Sequence, residues 1–169
     1  MCSSDLPRFG TLADFDRLVA QASQRHIRVI LDMVLNHTSD QHPWFLDAAR
    51  SRTAAHHDFY VWSDGKPVTG GAPLPPNNWV SLFGGSAWQY TPAVRQFYYH
   101  MFYPQQPDLN WRNPAVEHAM TDALRFWLNR NVAGSFAGHL YGRPVHRQRA
   151  AAAPGASGYA ASFANLRLH

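Results

Sequence analysis

The 169-residue sequence predicts an α/β fold built on a parallel sheet, and three stretches predict it. Ile27, Val29, Ile30 and Leu31, then Met33, Val34 and Leu35, form a nearly unbroken apolar run. Such a run suits a strand buried on both faces, with helices packed outside the sheet. Before it, Leu12, Phe15, Leu18, Val19 and Ala22 recur at helical spacing. After it, Val116, Ala119, Met120, Ala123, Leu124, Trp127 and Leu128 make a second helical stripe, leading to Val132-Ala133-Gly134. A helix feeding a buried strand is half of a βαβ unit.

The first helix should start at Thr11, with Asp14 as its capping-box partner, and run over Leu12–Ser23. Arg25 and His26 end it, and a cation suits the negative end of the helix dipole. The strand is expected over Val29–Val34. It carries one carboxylate, Asp32, which would cost several kcal/mol, roughly, if buried without a partner. Asp32 is therefore expected to be hydrogen-bonded and to face a barrel axis. Asn36 and His37 follow at the C-terminal end of the strand, where α/β barrels place their chemistry.

Pro43 opens a short helix, expected to reach about Ser51. Asp58–Trp62 should be a short strand, stopped by the Ser63-Asp64-Gly65 turn. Val68 to Asn78 is rich in Gly, Pro and Asn and should be irregular, whereas Trp88–Tyr90 and Gln96–Phe102 have strand composition. This excursion of about 70 residues is too long for a bare loop, so a small subdomain is expected over 38–112. Asn113-Pro114 caps and starts the next helix, expected over Pro114–Arg130, and a second parallel strand is expected over Val132–Phe136.

Bulk properties exclude several classes. The formal net charge is +4, but the Arg residues are scattered except near the C-terminus, so no nucleic-acid partner is expected. No stretch approaches the ~20 apolar residues of a membrane helix, so no membrane partner is expected. Met1 to Leu6 lacks the apolar core of a signal peptide, and a cytoplasmic location is expected. The single Cys2 rules out an internal disulfide.

Asp32-Met33-Val34-Leu35-Asn36-His37 resembles the first signature region of the family 13 glycoside hydrolases, the α-amylase clan. Thr38 to Phe45 (T-S-D-Q-H-P-W-F), Pro76 to Trp88 (P-N-N-W-V-S-L-F-G-G-S-A-W) and Gln106-Pro107-Asp108-Leu109-Asn110 resemble its α-glucosidase and oligo-1,6-glucosidase branch. The resemblance runs from near Pro7 to Gly134. It implies a partial (β/α)8 barrel spanning 7–134, with the excursion as the family's inserted β-rich domain after the third strand. A whole barrel needs roughly 250 residues, so the chain reads as an N-terminal fragment. The implied reaction is retaining cleavage of terminal α-glucosidic bonds in oligosaccharides. A trehalose synthase would share these motifs, and a non-catalytic carbohydrate-binding module is the alternative from another class.

The same resemblance assigns residues. His37 stands where the family contacts a glucose hydroxyl, a task that suits a ring with one donor and one acceptor nitrogen. Asn36 is its companion in substrate binding and stands at a calcium ligand of many α-amylases. The α-glucosidase branch often lacks that ion, so no cofactor or metal is expected. Asp32, Asp108 and Asn110 are expected to support the site structurally. His37, Asp40 and His42, and likewise His56, His57 and Asp58, lack metal-site spacing on a helix. Trp79, Phe83, Trp88, Tyr98 and Tyr99 could line a sugar cleft or fill the subdomain core.

The catalytic pair is not visible. A retaining glycosidase needs two carboxyl groups about 5–5.5 Å apart. The family's nucleophile should follow a pattern like G-V-D-G-F-R-L-D, but this chain reads R-N-V-A-G-S-F-A-G, with Ala133 in place of an Asp. The lone Glu117 lies on the outer helix. No catalytic residue is assigned, and the chain itself is expected to be inactive.

The two ends read as foreign to this pattern. Residues 1–6 resemble the translation of a sequencing-adapter end and are expected to be an artefactual leader. Residues 135–169 are rich in Arg, Ala, Gly and Pro, without amphipathic periodicity, and are expected to be a disordered low-complexity tail. Ala137 to Tyr141 can be encoded by GCT-GGA-CAC-CTT-TAC; shifted by one base, the same letters give Leu-Asp-Thr-Phe, which resembles the nucleophile segment. The tail therefore reads as off-frame from near Gly134.

Overall fold

The computed structural model describes residues 10–136. Helix α1 spans Leu12–Gln24. Thr11 and Asp14 form the expected capping box, the Asp14 carboxylate accepting from the Thr11 amide at 2.7 Å. At the other end His26 adopts φ 58°, while His26 N–H donates to Ser23 O and Ile27 N–H to Ala22 O. These two bonds define a Schellman stop, whose left-handed residue is ordinarily glycine. Arg25 reaches back to the Gln21 carbonyl at 3.0 Å.

Strand β1 is Ile30–Asp32, and β5 is Gly134–Phe136. They pair in parallel, Ile30 opposite Gly134 and Asp32 opposite Phe136. The strand is shorter than the apolar run, and the run is not buried on both faces. Met33 and Leu35 are buried, but Ile30 is 65% and Val34 51% exposed. Alternation explains the difference. One face of β1 and its continuation meets the helix side: Leu31, Met33 and Leu35 pack with Val116, Met120, Leu124 and Trp127. The face bearing Ile30, Asp32 and Val34 points the other way and lies open among the described residues.

Helix α2 is Pro43–Ala48, ending earlier than Ser51. His42 caps it, its Nδ1 accepting from the Trp44 amide at 3.2 Å. His57–Phe59 forms a 3-10 turn where a strand was expected, so β2 is only Trp62–Ser63. Strands β3 (Trp88–Thr91) and β4 (Gln96–Tyr99) form an antiparallel hairpin, and β2 adds to the free edge of β4, giving the order β2-β4-β3. Gly65, with φ 76°, makes the turn after β2. A side chain there would collide with the Leu74 carbonyl and sit 2.6 Å from the Phe97 ring. Helix α3 spans Pro114–Leu128, with Asn113 accepting from the Ala115 amide at 2.9 Å.

The excursion has two apolar centres. One joins Phe45, Ala48, Tyr60, Tyr98 and Leu109 to the barrel residues Met33, Leu35, Val116 and Met120. The other, Ala87, Trp88 and Phe97, lies within the small sheet. The architecture is a partial barrel with an inserted β subdomain. Helix α1 packs on α3 through Phe15 against Trp127, ring centres 5.1 Å apart, and through Arg130 on Asp16 at 2.8 Å.

Candidate functional site

Beyond β1 the chain runs beside the segment that closes the excursion. Leu109 N–H donates to Asn36 O at 2.9 Å, Thr38 N–H to Pro107 O at 3.2 Å, and Asp40 N–H to Gln105 O at 2.9 Å. His37 and Asp108 are paired antiparallel in this ribbon. Two motifs about 70 residues apart in sequence are thus zipped together at the C-terminal end of β1.

Asp108 is the buried charge of the cluster. Asn36 donates to its Oδ2 at 3.0 Å, and the Met101 amide donates to Oδ1 at 2.9 Å. Burial pushes its carboxyl up to about 6, against the two hydrogen bonds that favour the charged form. Asn36 is itself buried. Asn110 stands outside the cluster and ties the excursion down: its side chain donates to Asp58 O at 3.1 Å and accepts from the Arg112 amide. Asp32 does not join Asn36, His37 and Asp108. It is exposed, on the open face of β1, with no hydrogen bond among the described residues. The expected partner is not required there, because a solvated carboxylate bears no desolvation cost.

His37 is half-buried, and burial depresses its pKa, which favours the neutral ring. Its Nε2 lies 3.0 Å from the Gln106 side-chain nitrogen, and Phe102 stands edge-on, ring centres 5.2 Å apart. Its Nδ1 is buried without a partner among the described residues. Gln106 and Phe102 were missed as site residues in the sequence. Gln106 lies inside the Gln106–Asn110 motif, so the motif itself was the signal; Phe102 had none beyond aromatic composition.

Of the five aromatic candidates, Trp88 and Tyr98 are buried, and Trp79 and Tyr99 pack against the sheet core. Phe83 is the open one, 56% exposed and stacked on Tyr103 at 4.3 Å. His56 and His57 are structural: His57 bridges Ala48 O and Gln96, and His56 pairs with Asp47.

Chemically the cluster offers neutral hydrogen-bonding groups beside aromatic edges, suited to hydroxyls. Asp108 has both oxygens engaged and is no free acid. Among the described residues no group of three His, Cys, Asp or Glu is placed to hold a metal ion, and no helix is long and apolar enough to cross a membrane. Asn36 turns its amide nitrogen, not an oxygen ligand, toward Asp108. Residues 137–169, on which the rest of the tail and frame expectations fall, and residues 1–9 lie outside the described residues, whereas Ser135 and Phe136, counted in the tail, belong to β5 because they pair with Leu31 and Asp32.

Known proteins resemble the chain over this region. It is 53% identical to a probable alpha-glucosidase of Rhizobium meliloti (strain 1021) over 76% of this chain and 22% of that protein. It is 43% identical to an amino acid transporter heavy chain of Rattus norvegicus over 76% of this chain and 18% of that one. A solved structure of an isomaltulose synthase mutant from Erwinia rhapontici NX5, in complex with its natural substrate sucrose, superposes with a TM-score of 0.68 at 48% identity, covering 75% of this chain and 22% of that chain. The chain thus spans about a fifth of the length of the curated relatives it matches. The family described as alpha amylase, catalytic domain, matches residues 5–136. With that match over most of its length, and the signature stretches zipped together at a strand end, the chain belongs to the alpha amylase catalytic-domain family.

Proposed function

We propose that residues 7–134 are part of the catalytic domain of an α-glucosidase, whose reaction is retaining cleavage of terminal α-glucosidic bonds in oligosaccharides. The observation that carries this is His37: a half-buried ring at the C-terminal end of β1, which burial favours in its neutral form, with one nitrogen unpartnered among the described residues. In this reading His37 contacts a glucose hydroxyl, and Asn36 supports that contact. Asp108 and Asn110 hold the inserted subdomain on the barrel. Asp32 belongs to the barrel interior that further strands would enclose. No step is routed through a metal ion.

The 169-residue chain itself lacks activity in this reading. Retaining cleavage needs two carboxyl groups about 5–5.5 Å apart, and Ala133 stands where the nucleophile pattern calls for an Asp. The sequence beyond the family match, from residue 137, is read off-frame in this reading; an uninterrupted reading frame in resequenced DNA across this junction would count against it. The functional test is a chimera in which residues 7–134 replace the matching segment of an active α-glucosidase. It should release glucose from maltose, and His37→Ala should lower kcat/KM by about 100-fold or more, the scale of losing one transition-state contact. The unmodified 169-residue chain should release none. Formation of trehalose instead of glucose would indicate glucosyl transfer.

The similarity to a protein named as a transporter heavy chain supports a second reading, a non-catalytic module. An inactive chimera that folds and still binds maltose would favour it.

A further inference from the structure

The His37–Gln106 contact fixes a proton as well as a position. A side-chain amide can be turned end for end, so its orientation follows from its neighbours. Here the neighbour is decisive. The Tyr103 amide N–H donates to Gln106 Oε1 at 3.2 Å, while the Gln106 amide N–H donates to Tyr103 O at 2.8 Å. Turning the side chain over would set an NH2 group against the Tyr103 N–H, two donors facing each other. Gln106 Nε2 is therefore the atom that faces His37 Nε2 at 3.0 Å, and it can only donate.

A ring nitrogen that accepts carries no proton. We propose that Gln106 is a positioning residue that holds His37 as the tautomer protonated on Nδ1, with Nε2 as acceptor. Nδ1–H is then a buried donor with no partner among the described residues. Phe102 packs edge-on against the same ring, ring centres 5.2 Å apart. Burial lowers the His37 pKa, which supports a neutral ring in which tautomer choice matters. The assignment concerns the same residue as the functional reading but does not need a sugar to be bound.

The test is a long-range proton–nitrogen NMR spectrum of the 169-residue chain labelled with 15N-histidine at pH 7.5, with His37 identified by its absence in His37→Gln. The expected spectrum shows Nδ1 protonated and Nε2 unprotonated. A protonated Nε2 in the unsubstituted chain overturns the proposal without any variant. In Gln106→Ala the ratio should shift toward the tautomer protonated on Nε2. In Gln106→Glu, whose carboxylate can only accept, Nε2 should become protonated and the His37 pKa should rise. Unchanged His57 and His100 signals report that each variant is folded. A folded Gln106→Ala whose His37 tautomer ratio is unchanged also overturns the proposal, because a residue that only packs would leave that ratio alone. An inactive chimera, by contrast, would remove the functional reading and leave the tautomer assignment intact.

Discussion

Asp108 is buried with two donors on its carboxylate, yet burial dominates and raises its pKa from 3.8 to about 6. The sign of the consequence follows from linkage. Below pH 4 both folded and unfolded forms are protonated, and the contribution to stability is fully present. Between about pH 4 and 6 the unfolded chain gives up the proton while the folded one keeps it, so stability falls as pH rises. The change is on the order of 2–3 kcal/mol. His37 and His100 act in the opposite direction, since their lowered pKa values cost stability as pH falls below about 6.5. Comparison with Asp108→Asn separates the terms. Urea midpoints followed by the tryptophan fluorescence of the subdomain should differ between the two chains by a pH-dependent amount between pH 4 and 6, and by a constant above pH 6.5. A constant difference across the whole range would mean that Asp108 titrates as a solvated carboxyl.

At the scale of elements, two stops are made by opposite means. The turn after β2 requires glycine: Gly65 has φ 76° and no room for a Cβ between Leu74 O and Phe97. Gly65→Ala should cost about 3 kcal/mol, combining left-handed strain with overpacking, read as a lower urea midpoint of the subdomain fluorescence. The stop of α1 uses His26 where glycine would be unstrained. His26→Gly should therefore stabilise the α1 end by about 0.5–1 kcal/mol, seen as slower amide exchange at Arg25 to Ile27. Faster exchange there would show that the His26 ring contributes more than its backbone strain costs.

At the scale of the whole molecule, the described chain has a closed part and an open part. The subdomain carries its own small-sheet core and shares a larger one with α3 and β1. The parallel pair β1–β5 instead exposes Ile30 and Val34, and Ile27 nearby. Parallel sheets are stable when both faces are covered, and an uncovered apolar face with free edges invites association. The 169-residue chain should bind a hydrophobic dye such as ANS and sediment with concentration-dependent mass while the near-ultraviolet signal of the subdomain tryptophans persists. A monomeric species that binds no dye would contradict this account. Ile30→Lys with Val34→Lys should reduce both dye binding and association.

Local chemistry alone determined much of this protein. Helix α1 and its capping box, α3 with Asn113 before Pro114, the hairpin of β3 and β4 and the turn at Gly65 all depend on residues close in sequence, so spacing and turn residues revealed them. The signature stretches around Asn36–His37 and Gln106–Asn110, which resemblance to the family and not local chemistry singled out, form the two sides of the candidate site. Tertiary structure decided what depends on distant partners. Asp32 is solvated because the face it shares with Ile30 and Val34 is uncovered, and an apolar run does not say which face will be covered. Asp58 and Phe59 turn in a 3-10 helix because Asn110 and Asn113 take the Asp58 carbonyl from the far end of the excursion. Trp88 and Tyr98 are core rather than cleft, a choice that composition leaves even. Gln106 acquires its role at His37 only when the ribbon pairs residues about 70 apart in the chain, since hydrogen bonds of that range are fixed by the fold and not by local sequence.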